Sequence, residues 1–257
     1  MMRLSIDHLT KRFGGLTAVA DVSFDVPAQG VTAVIGPNGA GKTTLFSLIS
    51  GFQQPSEGHI RFDGADITGL PPQDLAAKGL VRTFQLVQLF PEMSVLDNVK
   101  VGQHLHTKSG LLAAVLRPGH TRREETEVET RARALLDFAK LSAMADLPAN
   151  VLSYGQQRLL ELVRALAAKP KLILLDEPAA GLDATESKHL STMIRRIADD
   201  GVTVLLIEHD MSLVMSVADR VVVLDFGRKI AEGTPAEVRV HPAVLEAYLG
   251  GVEIADA

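Results

Sequence analysis

The chain has 257 residues, of which 46% are apolar, so it can bury a substantial core without an external staple. It contains no cysteine, which excludes disulfide bonds, zinc–thiolate clusters and thiol catalysis. Its net charge of −5 gives no basic footprint of the kind that dominates nucleic-acid affinity, so we expect no nucleic-acid partner. The N-terminus has no apolar signal region, and no apolar run approaches the roughly 20 residues that span a bilayer. We therefore expect any membrane role to depend on a protein partner.

The first predicted elements are a strand, a glycine-rich loop and a helix. Apolar residues alternate with polar ones up to a turn at 27–30, and the apolar run at 31–35 then predicts a buried strand that leads into the loop. Beyond the loop, Gly51 and Pro55 mark the end of a helical segment. Its apolar residues recur at helical spacing: Leu45, Leu48, Ile49 and Phe52.

Later apolar runs predict further strands, whereas the middle of the chain is helical in pattern. The runs at 172–175 and 202–207 flank a polar helical stretch and are typical of parallel strands buried on both faces, and a third run follows at 221–224. Residues 93–146 carry little strand signal, which indicates an inserted helical subdomain. For its helix at 131–141 we predict an apolar face formed by Ala134, Leu135, Phe138 and Leu141.

The pattern Gly-x4-Gly-Lys-Thr predicts a phosphate-binding loop between the first buried strand and its helix. Glycines let backbone N–H groups curl around phosphate oxygens, and the helix N-terminus adds a positive dipole. We expect Lys42 to reach the β- and γ-phosphates of ATP and Thr43 to bind Mg²⁺. The predicted ATP-binding residues of the loop are Gly36, Pro37, Asn38, Gly39, Ala40, Gly41, Lys42, Thr43 and Thr44.

Two consecutive acidic residues follow the apolar run at 172–175. Asp176 is placed to hold Mg²⁺, and Glu177 is placed to polarise the attacking water. Taken alone, acidic residues at a strand end are also typical of a solvated turn. The upstream phosphate loop favours the catalytic interpretation.

Two further motifs carry a family resemblance. One lies shortly before the apolar run at 172–175 and reads Leu152-Ser153-Tyr154-Gly155-Gln156-Gln157. The other, Ile207-Glu208-His209-Asp210, lies at the end of the apolar run at 202–207. In this order, beside the phosphate loop, they resemble the ATPase subunits of ABC transporters, and the resemblance covers residues 4–250. It implies a P-loop (RecA-like) α/β core with an N-terminal antiparallel β-subdomain and an inserted α-helical subdomain. The implied single domain 1–257 has its ATP-binding core at 1–90 and 158–235, its insertion at 91–157 and a C-terminal helical tail at 236–257.

The resemblance also implies roles for individual residues. Phe13 matches the aromatic residue that stacks on adenine, and Gln85 matches the glutamine that touches Mg²⁺ and water and faces the membrane subunit. His209 matches the switch histidine that contacts the γ-phosphate, and residues 181–183 match the loop that crosses the dimer interface. The signature residues cap the γ-phosphate of ATP held by the other protomer, and here they are Ser153, Gly155 and Gln156.

One position departs from the family pattern, because Tyr154 stands where most members have glycine. The phosphate-facing Ser153 and Gly155 remain, so we expect function to be retained. His104 and His106 could be taken for a metal site, but residues two apart on a helix point in different directions. We therefore interpret them as solvated polar residues.

Within the family, several stretches resemble the first ATPase subunit of branched-chain amino acid importers. They are residues 104–123, residues 176–182, residues 207–211 and the ending Ala247-Tyr248-Leu249-Gly250. This implies transmembrane permease subunits and a second ATPase subunit, in a homo- or heterodimer, as partners. A periplasmic binding protein would act indirectly, and the implied location is peripheral, on the cytoplasmic face of the bacterial inner membrane.

Alternative functions stay open at this point. Related importers serve urea, short amides or aromatic acids, and the ATPase subunit touches no substrate. A non-transport ATPase of the same group is a second class, although the short insertion and the single phosphate loop count against DNA-repair and translation members. A small-molecule phosphotransferase shares the phosphate loop but has no need of a Leu-Ser-x-Gly-Gln signature.

Overall fold

The computed structural model describes residues 1–83, 88–103 and 118–249, the side chains of 118–124 and of residue 249 excepted. The described strands are β1 (Met2–Phe13), β2 (Leu16–Pro27), β3 (Val31–Ile35), β4 (Glu57–Phe62), β5 (Ala65–Asp66), β6 (Leu80–Arg82), β7 (Leu172–Asp176), β8 (Thr203–Ile207), β9 (Arg220–Asp225) and β10 (Arg228–Gly233). The described α-helices are α1 (Lys42–Ile49), α2 (Pro72–Lys78), α3 (Val95–Gly102), α4 (Pro118–Phe138), α5 (Tyr154–Ala167), α6 (Ala184–Asp199), α7 (Met211–Val217), α8 (Pro235–Arg239) and α9 (Pro242–Leu249). They form two compact units, the first made of Met1–Arg82 with the chain from Lys171 onward, and the second of Thr83–Pro170.

The first unit contains two sheets. In its described residues, one sheet is antiparallel in the order β2-β1-β4-β5, and the other has the order β10-β9-β3-β8-β7-β6. Five strands of the second sheet run parallel to one another, in the order β9-β3-β8-β7-β6. Strand β10 closes the edge of this sheet and is antiparallel to β9. This confirms the predicted α/β core and its N-terminal antiparallel subdomain.

Burial explains why the central strands are continuous apolar runs. Every residue of β3, β7 and β8 is buried, as expected for parallel strands covered on both faces. One apolar cluster joins the antiparallel sheet, the parallel sheet and α1, including Phe46 and Leu205. The opposite face packs Ile35 and Val223 against Val214 of α7 and Val244 of α9. The chain around β3 is thereby fixed on both sides, just before the predicted phosphate loop.

The first helix is shorter than predicted. Helix α1 ends at Ile49, Ser50 follows as its C-cap, and Gly51 takes a positive φ of 75°. The Phe52 side chain, which we assigned to the helical face, lies beyond this turn and is 52% exposed. The prediction for Phe52 was therefore wrong, because the left-handed glycine turns the chain before the apolar spacing is completed.

The second unit is helical, in keeping with the predicted insertion. Ser94 caps α3 by accepting the amide of Asp97, and Asn98, fully buried, bonds through its side chain to the backbone of Phe90 and Ser94. The unit spans Thr83–Pro170, and α5 runs within it without a break from Tyr154 to Ala167.

The buried face of α4 also differs from the predicted one. Ala132 and Leu136 of the helix, and Ala139 just beyond its end, are almost completely buried, whereas Ala134 is exposed and Phe138 is only partly covered. Of the predicted face, Leu141 is buried just beyond the helix end. Among the described helices, none combines the length and the apolar character required to cross a membrane.

Candidate functional site

The segment between β3 and α1 has the backbone that the glycine pattern predicts. Gly36, Gly39 and Gly41 have φ values of 154°, 82° and 95°. A Cβ added at Gly36 would lie 2.1 Å from the Leu224 carbonyl oxygen, and one at Gly41 would lie 2.3 Å from the Ala18 carbonyl oxygen. Neighbouring backbone therefore presses against this loop and requires glycine at both positions.

Replacing Gly41 by alanine should destabilise the protein and weaken nucleotide binding. The change combines an unfavourable φ with a backbone clash, so we expect a loss of about 3 kcal/mol in unfolding free energy. Gly201→Ala is a matched control, because Gly201 has a similar φ of 93° but no neighbour within 4 Å of an added Cβ. It should cost only about 1 kcal/mol. Equal losses in thermal unfolding would contradict this account of Gly41.

Lys42 lies with its ammonium group inside the loop. Its Nζ donates hydrogen bonds to the carbonyl oxygens of Gly36, at 2.7 Å, and Pro37, at 3.0 Å. Burial lowers the pKa of Lys42, while the charges of Glu177 and Asp176 act in the opposite direction. The residue thus places a cation where the first amides of α1 have no partner within the helix. A cation beside free amides is the donor set that a phosphate requires.

A cavity of about 360 Å³ opens over this loop. Residues 38–44 line one side, and Glu177 and the turn at Phe226 and Gly227 line the rest together with 16–18. The Gly227 amide donates to the Ala40 carbonyl oxygen at 3.0 Å, so the turn between β9 and β10 is fixed to the loop. The cavity combines a buried cation, backbone amides and the hydroxyls of Thr43 and Thr44, and these groups fit a polyphosphate with a bound cation.

The two predicted acidic residues lie at the end of β7. Asp176 is buried, and its Oδ2 accepts a hydrogen bond from Arg82 Nη2 at 2.7 Å. Glu177 has a φ of 46°, and its amide donates to the Ile207 carbonyl oxygen at 3.0 Å. His209 Nδ1 lies 3.9 Å from Glu177 Oε2. The first unit therefore brings Lys42, Thr43, Asp176, Glu177 and His209 to one region.

Glu208 is a residue of this region that the sequence reasoning missed. It is fully buried, and Oε1 accepts the Ala179 amide at 3.0 Å. Its Oε2 accepts the amides of His209 and Asp210 at 3.0 and 3.2 Å. Glu208 thereby ties the turn after Glu177 to the loop that carries His209. The available signal was an acidic residue directly after a continuously buried strand.

Other predicted site residues do not belong to the described lining of the cavity or lie outside the described residues. Phe13 ends β1, is 45% exposed, and has Lys11 Nζ 5.0 Å from its ring centroid, but it does not belong to the described lining of the cavity. Gln85, His104 and His106 lie outside the described residues. Near the C-terminal end of the described chain, the pKa of the Tyr248 hydroxyl is raised. Burial is the main cause, and a hydrogen bond with the Gly36 backbone acts in the opposite direction.

The signature residues belong to the second unit and begin α5. Ser153 is the N-cap, its side chain accepts the Gln156 amide at 3.3 Å, and Gln156 Oε1 accepts the Ser153 amide at 2.9 Å. Helix α5 therefore begins with a complete capping box. Tyr154 is 45% exposed, and its hydroxyl accepts a hydrogen bond from Arg158 Nε at 3.1 Å.

Comparisons with known proteins agree on one family. The ABC transporter family model matches residues 19–180, and the model for the branched-chain amino acid ATP-binding cassette transporter matches residues 228–254. The chain is 47% identical to the high-affinity branched-chain amino acid transport ATP-binding protein BraF of Pseudomonas aeruginosa, over 96% of this chain and 97% of the relative. It is 44% identical to LivG of Escherichia coli K12, a protein of the same description, with the same two coverages.

Solved structures give the same result. The crystal structure of a nucleotide-free ATP-binding cassette from an ABC transporter superposes with a TM-score of 0.83 at 36% identity, covering 96% of this chain and 99% of the other. The ADP conformation of the cassette MJ1267 superposes with a TM-score of 0.84 at 37% identity, covering 97% and 99%. The chain therefore belongs to the ABC transporter family, among its ATP-binding cassettes.

Proposed function

We propose that this chain is the ATP-hydrolysing subunit of an ABC importer for branched-chain amino acids. The observation that carries the proposal is that Lys42, Thr43 and Glu177 line one cavity of about 360 Å³. Relatives similar along almost their whole length are named as branched-chain amino acid transport ATP-binding proteins, and the C-terminal model at 228–254 belongs to the same class. These matches favour branched-chain amino acids over urea, amides or aromatic acids.

In this proposal the phosphate loop binds the ATP phosphates. Lys42 exchanges its hydrogen bonds to the loop carbonyls for the β- and γ-phosphate oxygens, which are stronger acceptors because they are charged. The amides of residues 41–44 donate to the same phosphates. Phe13, half exposed on the same unit, offers the flat apolar surface on which the adenine stacks.

Thr43, Asp176 and Gln85 are the residues that would hold Mg²⁺. The described residues include no group of three His, Asp or Glu side chains that converge on one point. This agrees with magnesium sites that are completed by substrate phosphates and keep only one or two carboxylates. When bound, the ion would neutralise charge on the transferred phosphoryl group.

Hydrolysis requires a base beside the γ-phosphate, and we assign this role to Glu177. Its carboxylate lies in the cavity lining, beyond the position of Asp176, and can accept a proton from the attacking water. His209 contacts the γ-phosphate in this scheme. Glu208 helps to keep both residues in place, because it accepts the Ala179 amide just after Glu177 and the amides of His209 and Asp210.

The functional form is proposed to be a dimer with shared sites. Ser153, Gly155 and Gln156 form a helix N-terminus that serves a phosphate held by a second ATPase subunit. Residues 181–183 cross the interface, and Asp183 also caps α6. ATP binding closes the dimer and hydrolysis reopens it. The dimer lies on the cytoplasmic face of the bacterial inner membrane, bound to permease subunits, and a periplasmic binding protein delivers the solute.

Transport tests the substrate class. A deletion strain that also lacks its other importers for these solutes should lose uptake of leucine, isoleucine and valine at low external concentration. The wild-type gene should restore uptake, and a Glu177→Gln gene should not, although its product still assembles with the permeases. Normal uptake of all three amino acids in the deletion strain would reject the substrate class and leave the ATPase assignment intact.

A further inference from the structure

The carboxylate of Asp176, which is assigned to Mg²⁺, belongs to a buried ion pair. Arg82 Nη2 donates to Asp176 Oδ2 at 2.7 Å, and the two side chains are only 9% and 4% exposed. Arg82 ends β6 and Asp176 ends the adjacent parallel strand β7, so the pair is formed between strand ends that share one edge of the sheet. An arginine and a carboxylate that are buried together each offset part of the other's desolvation.

The guanidinium is also held by the end of α1. Arg82 Nη1 donates to Ser50 Oγ at 2.8 Å, and Ser50 is the C-cap of that helix. The Phe52 ring centroid lies 5.7 Å from the guanidinium carbon, within the range of a cation–π contact. Arg82 therefore connects Asp176 to the far end of the helix that begins in the phosphate loop.

This contact leaves the two oxygens of Asp176 in different situations. Oδ2 accepts the arginine hydrogen bond, whereas within the described part of the chain Oδ1 has no hydrogen-bond partner. The carboxylate is thus oriented through Oδ2 alone. Its negative charge is offset by the guanidinium of Arg82.

We infer that Arg82 is a positioning residue that orients Asp176 and offsets its charge, so that this site takes Mg²⁺ only together with nucleotide phosphates. The inference rests on the proposed function. A carboxylate without its counter-ion would attract a divalent cation by itself. A carboxylate paired with arginine is a weak ligand until the phosphates add their own negative charge.

Thermal unfolding without nucleotide tests this inference. Wild-type protein should melt at the same temperature in EDTA and in millimolar Mg²⁺. Arg82→Met should melt about 10 °C lower in EDTA, because removing one partner leaves a buried charge uncompensated. Millimolar Mg²⁺ should recover several degrees of that loss, since the ion then replaces the arginine. Arg82→Lys keeps the charge, so its melting temperature should not respond to Mg²⁺.

Two further variants separate the lost charge from lost packing. Arg82→Met combined with Asp176→Asn should melt above Arg82→Met alone and should not respond to Mg²⁺, because no carboxylate remains. Arg12→Met breaks the exposed ion pair of Arg12 with Glu57, at 2.6 Å, and should shift the melting temperature by less than about 1 °C, with no Mg²⁺ response.

Each outcome is decisive for the inference. A Mg²⁺ response in the wild type equal to that of Arg82→Met would overturn it, as would an Arg82→Met protein that melts equally with and without Mg²⁺. If Arg82→Met fails to fold, recovery of folded protein in the double variant supports the inference and continued failure overturns it. No nucleotide enters these measurements, so they can fail while ATP hydrolysis and transport are confirmed, or succeed while transport is not.

Discussion

Glu177→Gln should bind ATP with nearly wild-type affinity and hydrolyse it at a rate lower by a factor of about 10² to 10⁴, the usual contribution of a general base. The amide has the shape of the carboxylate but cannot accept the proton of the attacking water. The backbone of residue 177 should keep its place, because its amide remains bonded to the Ile207 carbonyl oxygen. Phosphate release under steady-state conditions measures turnover, and equilibrium binding of a fluorescent ATP analogue measures affinity.

Glu246→Gln provides the matched control for this substitution. Glu246 lies exposed on α9, away from the cavity lining, and its replacement makes the same chemical change. We expect hydrolysis by this variant to equal that of the wild type. Unimpaired turnover in Glu177→Gln would refute the assignment of Glu177 as the base. An equal loss of ATP binding would show instead that Glu177 contributes to the binding of ATP before hydrolysis begins.

The centre of the site was predictable because its signals are local. A buried strand, a glycine loop and a helix follow one another within 31–49, and each element is set by neighbours in sequence. The runs at 172–175 and 221–224 are equally local, since strands buried on both faces need no polar alternation. The same holds for the helix start at Ser153, where a capping residue and its partner are three positions apart.

The residues that were missed depend on contacts that are distant in sequence. Arg82 bonds to Asp176 across 94 positions, and Glu208 bonds to Ala179 across 29. No local pattern distinguishes Arg82 from a solvated charge at a strand end, and the local signal for Glu208 is only its place directly after a continuously buried strand. Their burial is decided by how the parallel strands are ordered in the sheet, which a periodicity argument does not supply.

The wrong prediction of the buried face of α4 has a different cause. Apolar residues occur at 132, 134, 135, 136, 138 and 139, so more than one helical stripe fits the pattern. The structure selects Ala132, Leu136 and Ala139, with spacings of four and three. Packing against the other helices of the unit makes that choice, and it brings small residues into the contact. Hydrophobicity alone favoured the larger Phe138.

Mixed dimers should recover hydrolysis that each of two variants lacks. Lys42→Ala removes the cation of the phosphate loop, and Ser153→Arg removes the cap of α5 and places a positive charge at its N-terminus. A homodimer of either variant has both shared sites damaged. A dimer with one subunit of each kind has a single intact site, formed by Lys42 of one protomer and Ser153 of its partner.

Random exchange between these variants should yield about a quarter of the wild-type number of intact sites, and hydrolysis should approach that fraction if one site suffices. Two affinity tags, used in succession, isolate the mixed dimers, and mixing two differently tagged Lys42→Ala preparations supplies the control, which should stay inactive. Circular dichroism of Ser153→Arg checks that α5 still forms. A covalently linked dimer with one damaged site tests whether a single site can hydrolyse ATP. If it does, mixed dimers that are no more active than either parent variant would count against a shared site. Recovery would show that the α5 N-terminus serves the nucleotide of the partner subunit.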